Sequence, residues 1–203
     1  RDKLVTGVQT CALPICLNTK GSGTVLLSGS NTFTGLTQVT EGTLCLARAG
    51  ALAAVPLAVA SNAVLDLGGF VVAAKSLSGA GVVTNGGLTV SGIIAPDGND
   101  IGTLTLALTN SVVGGTLVID ADANGDCDRL VVLGSLDLLN MSLQVVEHNT
   151  LDVHKRYTIA QCEGTLSGIF NQKSLPSPWF VYCDYAAKKV VLSAQVGTVI
   201  RLH

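Results

Sequence analysis

Aliphatic residues occupy every second position in five short segments, each of which begins with glycine followed by threonine or serine. The segments are GTVLL from Gly23, GTLCL from Gly42, GTLTL from Gly102, GTLVI from Gly115 and GSLDL from Gly134. Because successive side chains of a β-strand point to opposite faces, the third and fifth residues share a face. The pattern predicts that these ten residues are buried: Val25, Leu27, Leu44, Leu46, Leu104, Leu106, Leu117, Ile119, Leu136 and Leu138. The residues between them are expected outside: Leu26, Cys45, Thr105, Val118 and Asp137.

The spacing of these segments indicates a repeat. The interval from Gly23 to Gly42 equals the interval from Gly115 to Gly134, and the interval from Gly42 to Gly102 is close to three times as long. A period of about 20 residues is typical of solenoids, in which each rung buries its apolar side only by stacking on its neighbours. The sequence therefore predicts strands that pair with the equivalent strands of the rungs above and below.

A specific family resemblance lies in Gly21–Leu46, which reads GSGTVLLSGSNTFTGLTQVTEGTLCL. Two Gly-Thr-aliphatic strands flank an Asn-Thr-aromatic-Thr-Gly turn, and this arrangement resembles the autotransporter-associated β-strand repeat, also called the passenger-associated transport repeat. The resemblance continues through Gly50–Gly69, through Leu77–Leu106 and from Gly115 onward. It implies an all-β fold, a right-handed parallel β-helix.

The same resemblance implies a cellular location and a general role. Members are bacterial passengers that are secreted or displayed at the cell surface, and they usually continue into an outer-membrane β-barrel translocator. The sequence leaves open whether a barrel accompanies this chain. The expected role is that of a non-catalytic, adhesin-like segment with an unknown surface or carbohydrate ligand.

Three parts of the chain are distinguished. Residues 1–16 are interpreted as a sequencing-adapter artefact outside the fold, because VTGVQTCALPI at Val5–Ile15 back-translates to a common adapter. Residues 17–110 are predicted to form β-solenoid repeats, and residues 111–203 the C-terminal rungs and a β cap. The sequence predicts an antiparallel hairpin that covers the solenoid end, formed by Trp179–Asp184 and Lys189–Ser193. We expect Trp179 and Tyr182 to pack within this cap; the alternative is that they form a shelf that binds a ligand.

Composition narrows the classes of function. The chain is 48% hydrophobic and 13% charged, against about 25% charged in an average protein. Its formal net charge of −2, with scattered basic residues, predicts no nucleic-acid partner. No apolar run reaches the roughly 18 residues of a membrane span. The spacing of four cysteines does not match a metal-binding motif: Cys45, Cys127, Cys162 and Cys183. A disulfide between Cys162 and Cys183 is left open by the sequence.

One acidic segment has the spacing of calcium ligands. Asp120, Asp122, Asn124 and Asp126 follow a D-x-D-x-N-G pattern and could hold calcium through oxygen atoms. The twelfth position of an EF-hand loop would be Val131 instead of glutamate, and the flanks are strands. The main interpretation is therefore a solvated acidic turn, with a weak extracellular calcium site as the alternative; no other cofactor is predicted.

No known catalytic motif is present. The sequence lacks a G-x-S-x-G elbow, an H-E-x-x-H motif and a P-loop. Outside the acidic segment, carboxylates occur only singly, whereas glycoside hydrolysis uses a pair. We therefore predict that the chain is not an enzyme. The alternatives are a fragment of a secreted carbohydrate-active β-helix and a calcium-stabilised extracellular module.

Overall fold

The computed structural model describes residues 16–98, 100–108 and 114–195, together with the backbone of residues 3–5 and 110–111. All secondary structure in these residues is β. The segment interpreted as an adapter artefact lies largely outside the described residues. Within it, the backbone of Lys3–Val5 forms a short strand that pairs parallel with Thr24–Leu27, and the interpretation itself stays a prediction.

Two long sheets receive alternate strands of the chain. Sheet 1 has the order β1 (Lys3–Val5), β3 (Thr24–Leu27), β5 (Gly42–Leu46), β7 (Ala63–Asp66), β9 (Val82–Thr84), β12 (Thr103–Ala107), β15 (Arg129–Val132), β18 (Arg156–Cys162), β22 (Lys189–Ala194) and β21 (Trp179–Asp184). Sheet 2 has the order β2 (Leu17–Thr19), β4 (Thr37–Val39), β6 (Val55–Val59), β8 (Val71–Ser78), β11 (Ile93–Ala95), β14 (Gly115–Ala121), β17 (Met141–Glu147) and β20 (Gln172–Ser174). Both sheets are parallel apart from the pairings of β22, so the predicted stacking of rungs is confirmed.

Columns of equivalent positions run through each sheet. In sheet 1 one interior column passes through Val25, Leu44, Leu65, Val83, Leu106, Val132 and Cys162. Nine of the ten residues predicted to be buried are buried, and Val25, near the first rung, is half-buried against the core. Each fully buried leucine contributes about 1.5–3 kcal/mol relative to exposure, so the columns are the main source of stability.

The corresponding column of sheet 2 contains an unexpected polar side chain. It passes through Leu17, Thr37, Leu57, Leu77, Ile94, Leu117 and Leu143. Thr37 is 1% exposed, and Thr19, in the neighbouring interior column, is 5% exposed. Neither hydroxyl has a hydrogen-bond partner within the described residues. The first rungs are therefore less apolar inside than the later ones.

The rungs lengthen along the chain and acquire a third face. As far as Val83, successive residues of the sheet 1 column are roughly one solenoid period apart in sequence. Each of the next three rungs is longer than the one before it; these rungs end at Leu106, Val132 and Cys162. The added residues form short strands: β10 (Gly87–Val90) pairs with β8 and with β13 (Asn110–Ser111), and β16 (Leu136–Asp137) pairs with β19 (Leu166–Ser167). Each longer rung thus has an extra short strand between its sheet 1 strand and its sheet 2 strand. β10 and β13 are attached to sheet 2 through β8, whereas β16 and β19 form a separate two-stranded sheet, which we call the third face.

The five glycine-led segments are consequently not equivalent, contrary to the simple period in the sequence. Those beginning at Gly23, Gly42 and Gly102 lie in sheet 1, the one at Gly115 lies in sheet 2, and the one at Gly134 lies on the third face. Each still buries its third and fifth residues, with Val25 half-buried, because alternation is a local property of any strand with one apolar side.

Tight corners connect the strands. Gly68 has φ +62°, and a Cβ atom there would overlap the carbonyl oxygen of Leu46 in the preceding rung, so only glycine fits. A different corner uses Asn31, which is buried and donates from Nδ2 to the carbonyl of Ala51 at 2.7 Å. These contacts hold successive rungs in register.

The C-terminal end changes to antiparallel pairing, which confirms the predicted β cap. β21 and β22 form a hairpin across residues 185–188, and β22 adds antiparallel to β18. Trp179 is buried and packs edge-on against Tyr157, with ring centroids 5.4 Å apart. No helix in the described part of the chain could cross a membrane. The fold is thus all-β and mostly parallel with an antiparallel cap, and the predicted right hand stays a prediction.

Candidate functional site

Polar side chains concentrate at one edge of the solenoid, where the chain leaves sheet 2 and enters sheet 1. Three successive connections stack there, described at residues 96–98 and 100–102 for the first, 122–128 for the second and 148–155 for the third. We call them the corner loops. Aspartate occurs in all three, and the last one holds both described histidines.

The middle corner loop is a tight turn that satisfies its own polar groups. The carboxylate of Asp122 accepts hydrogen bonds from the backbone N–H groups of Asn124 at 2.9 Å and Asp126 at 3.0 Å, and from Asn124 Nδ2 at 2.9 Å. Desolvation opposes the ionised form, but hydrogen bonds from Asp126, Asn124 and Gly125 together outweigh it and lower the pKa of Asp122. From the next rung, Lys155 donates to the Asn124 carbonyl and Tyr157 donates its hydroxyl to the Asp122 carbonyl at 3.0 Å.

Two further aspartates near this turn, Asp120 and Asp128, are buried and have separate roles. Asp120 is 4% exposed, and its Oδ1 lies 2.9 Å from His148 Nε2, within hydrogen-bond distance. Asp128 is fully buried, and its two oxygens accept from the N–H of Gly102 at 2.8 Å and of Asp120 at 3.1 Å. Burial raises the pKa of the Asp128 carboxyl to about 7, although these N–H donors favour the ionised form. Asp128 therefore ties the corner loops together from inside.

The predicted calcium ligands are only partly brought together. Asp122, Asn124 and Asp126 share the turn, whereas Asp120 faces His148. Across the described ranges, no group of three or more His, Cys, Asp or Glu side chains is placed to hold a metal ion. The oxygens of Asp122 already accept hydrogen bonds that an ion would have to displace, and the calcium site stays a prediction.

A polar groove lies beside the turn on the outer surface of sheet 1. It encloses about 510 Å³ and is lined by Ile101, Asp122, Gly125, Asp126, Cys127, Arg129, Arg156 and Thr158. A smaller depression of about 270 Å³, lined partly by Asp100 and His148, lies on the other side of Asp122. The groove combines guanidinium groups with carboxylates, so it can donate hydrogen bonds to a ligand and accept them from it.

The aromatic residues of the cap divide between the core and the surface. Trp179 packs in the core as predicted, but Tyr182 lies on the opposite, outer side of β21. There it is 6.3 Å from Phe180 between ring centroids, at an interplanar angle of 35°. Phe180 was missed as a surface residue, although the alternation in WFVYCD places it on the same side as Tyr182.

The cysteines of the described residues are all free. Cys162 and Cys183 lie on β18 and β21, which are separated by β22. Two strand spacings amount to about 10 Å, too far for the Cα atoms of a disulfide. Burial raises the pKa of the Cys127 thiol to about 11, and it also raises the pKa values of Cys45, Cys162 and Cys183.

Comparison with known proteins agrees with the residue pattern. The family model of the passenger-associated-transport-repeat matches residues 17–45, which include β2, β3, β4 and all of β5 except its last residue. Over 85 residues, 40% of this chain, the sequence is 42% identical to the adhesin BmaC autotransporter of Brucella suis biovar 1 (strain 1330). The matched region spans only 2% of that relative's length. The chain thus carries an autotransporter passenger repeat, and the resemblance drawn from Gly21–Leu46 is confirmed.

Proposed function

We propose that this chain is a non-catalytic, adhesin-like segment of a larger bacterial passenger protein that is secreted or displayed at the cell surface. The observation that carries this proposal is the unbroken pair of parallel sheets, in which strands of the matched repeat continue into rungs of the same design. Each rung adds about 4.8 Å to such a rod, so repeated rungs hold a binding surface away from the cell.

The positions of the described cysteines are compatible with export through an outer-membrane translocator in the full protein. A cross-linked chain cannot pass a narrow pore as a single extended strand. The described cysteines are free, and the pair considered for a bridge is separated by a strand. Folding can then follow translocation, because each rung stacks on the one already formed.

Surface display tests this proposal directly. The full chain is fused between a signal peptide and an outer-membrane translocator in a Gram-negative host. We expect it to reach the cell surface, to be released by a protease site placed at the junction, and otherwise to resist digestion. A Leu77→Asp variant, which places a charge in the buried column of sheet 2, should be exported but digested within the chain. Retention of the wild-type fusion in the periplasm would contradict the proposal.

The non-catalytic part of the proposal has its own assay. The purified chain is incubated with neutral and acidic polysaccharides, and reducing ends and unsaturated sugars are measured. We expect no turnover. Product formation that requires Asp122 or Asp126 would favour the alternative of a carbohydrate-active β-helix, because these carboxylates line the groove.

Calcium binding by the acidic turn is a separate proposal. An ion bound only by the folded chain would raise its melting temperature, and Asp122→Ala would abolish the rise. Thermal melts of both proteins, with added calcium or with a chelator, measure this. A wild-type melting temperature that is unchanged by calcium discards the idea.

A further inference from the structure

Three neighbouring strands at the C-terminal end of sheet 1 bring together side chains that are far apart in sequence. The register places Arg156 of β18 opposite Ser193 of β22, and Ser193 opposite Phe180 of β21. In the next row whose side chains point the same way, Thr158 is opposite Val191, and Val191 is opposite Tyr182. Of the residues that alternate with these rows, Tyr157, Trp179 and Leu192 are buried, and Val181 and Ala194 are half-buried against the core. Both rows therefore lie on the outer surface of the sheet.

The aromatic part of this surface is formed by exposed Phe180 and half-exposed Tyr182. Phe180 is 42% exposed, and Tyr182 lies beside it as a tilted pair. Val191 is only 7% exposed although it belongs to the outer rows, so the rings rest on a filled sheet. Within the row formed by Arg156, Ser193 and Phe180, two strand spacings separate Phe180 from Arg156, about 10 Å, which matches the length of a disaccharide.

Neither arginine of this surface forms an ion pair within the described residues. Arg129 and Arg156 are exposed and line the groove described above. Among the described residues, no carboxylate lies within 4.0 Å of either guanidinium group. Arg129 uses its Nε only for a long contact, 3.4 Å, with the carbonyl of Thr158. The remaining N–H groups of the Arg129 and Arg156 guanidinium groups are free to bind a carboxylate in bidentate geometry.

We propose that this surface, formed by Arg129, Arg156, Thr158, Phe180 and Tyr182, binds an oligosaccharide that contains uronic acid. The aromatic rings stack on the apolar face of one sugar ring, and the guanidinium groups pair with the carboxylate of the next. Asp126, at the groove wall, accepts hydrogen bonds from sugar hydroxyls. Asp122 and Asp126 repel densely charged polyanions, so a nucleic acid or a heavily sulfated glycan fits less well.

This inference rests on the proposed function, since it names the ligand class of the same adhesin-like segment. Its test uses the purified chain and needs no export, so its failure is distinguishable from failure of surface display. Tetragalacturonate is titrated into the protein by calorimetry, with cellotetraose as the neutral sugar and a heparin tetrasaccharide as the sulfated one. We expect tetragalacturonate to bind at least tenfold more tightly than either comparison sugar, and its affinity to fall with added salt.

Variants and matched controls locate the site. Arg156→Gln should weaken tetragalacturonate binding about tenfold or more, and Phe180→Ser should weaken it similarly. Lys75→Gln and Val71→Ser, exposed positions on β8, should change nothing. Amide chemical shifts of the wild-type protein, which do not depend on any variant folding, should move on β18 and β21. No wild-type binding, equal binding by Arg156→Gln, or preference for the sulfated sugar would each overturn the proposal.

Discussion

Replacing Thr37 by valine should stabilise the protein. Thr37 lies in the interior column of sheet 2 between Leu17 and Leu57, and it is 1% exposed. Its Oγ1 has no hydrogen-bond partner within the described residues. Threonine and valine have nearly the same shape, so the substitution exchanges the hydroxyl for a methyl group without creating a cavity.

The size of the effect follows from the cost of an unpaired buried hydroxyl. Such a group costs about 1–3 kcal/mol in proteins, and the new methyl contacts the leucines of the same column. We therefore expect the free energy of unfolding to rise by about 1–3 kcal/mol. For a chain of this length, each kcal/mol corresponds to about 2–4 °C in melting temperature. Because a solenoid unfolds partly by local opening, the gain should be largest in the first rungs.

Urea unfolding followed by circular dichroism measures the global change, and amide hydrogen exchange of peptides covering β4 and β6 measures the local one. Thr105→Val is the matched control, because Thr105 is half-exposed on the outer side of β12; it should alter stability by no more than about 0.5 kcal/mol. If Thr37→Val is neutral or destabilising while Thr105→Val behaves as expected, the hydroxyl of Thr37 is not an unsatisfied group and the reasoning fails.

Three further predictions concern turns, titration and thiols. Gly68→Ala should lower the free energy of unfolding, measured by urea denaturation, by more than about 2 kcal/mol, because it adds a backbone overlap to the strain of a left-handed residue. Gly69 has φ +84° and open space around it, so Gly69→Ala should show the strain alone, about 1 kcal/mol. Asp128 has a raised pKa of about 7 in the folded chain, so the native state binds the extra proton and this group's stabilising contribution falls as the pH rises from about 4 to about 7. Comparing melting temperatures of wild type and Asp128→Asn across that range isolates the slope, and equal slopes would contradict it. Iodoacetamide should label exposed Cys16 well before Cys127, whose thiol pKa is about 11. Mass spectrometry of tryptic peptides measures the order of labelling. Early labelling of Cys127 would contradict the prediction and show that the structure opens around this residue.

The strands and their buried faces were predictable because the pattern behind them is local. Alternation identified Leu44 and Leu46 as core, and the change in character near Trp179 identified the antiparallel cap. Asp122 and Asn124 were correctly placed in a turn between strands, since their side chains bond to groups only a few residues away.

The relation between rungs was not predictable, because it depends on how much chain each corner consumes. Equal spacing of the glycine-led segments suggested equivalent copies, yet Gly115 and Gly134 belong to different faces, since the longer rungs in this part of the chain make an additional corner. The same dependence governs the outer surface: Arg156 reaches the row of Phe180 only because β22 inserts between β18 and β21. By itself the sequence determined which residues form strands and which side of each strand is buried, since alternation needs only neighbouring residues. Only the tertiary structure decided which strands became neighbours and which side chains share a surface, since these depend on the lengths of all the loops between the strands.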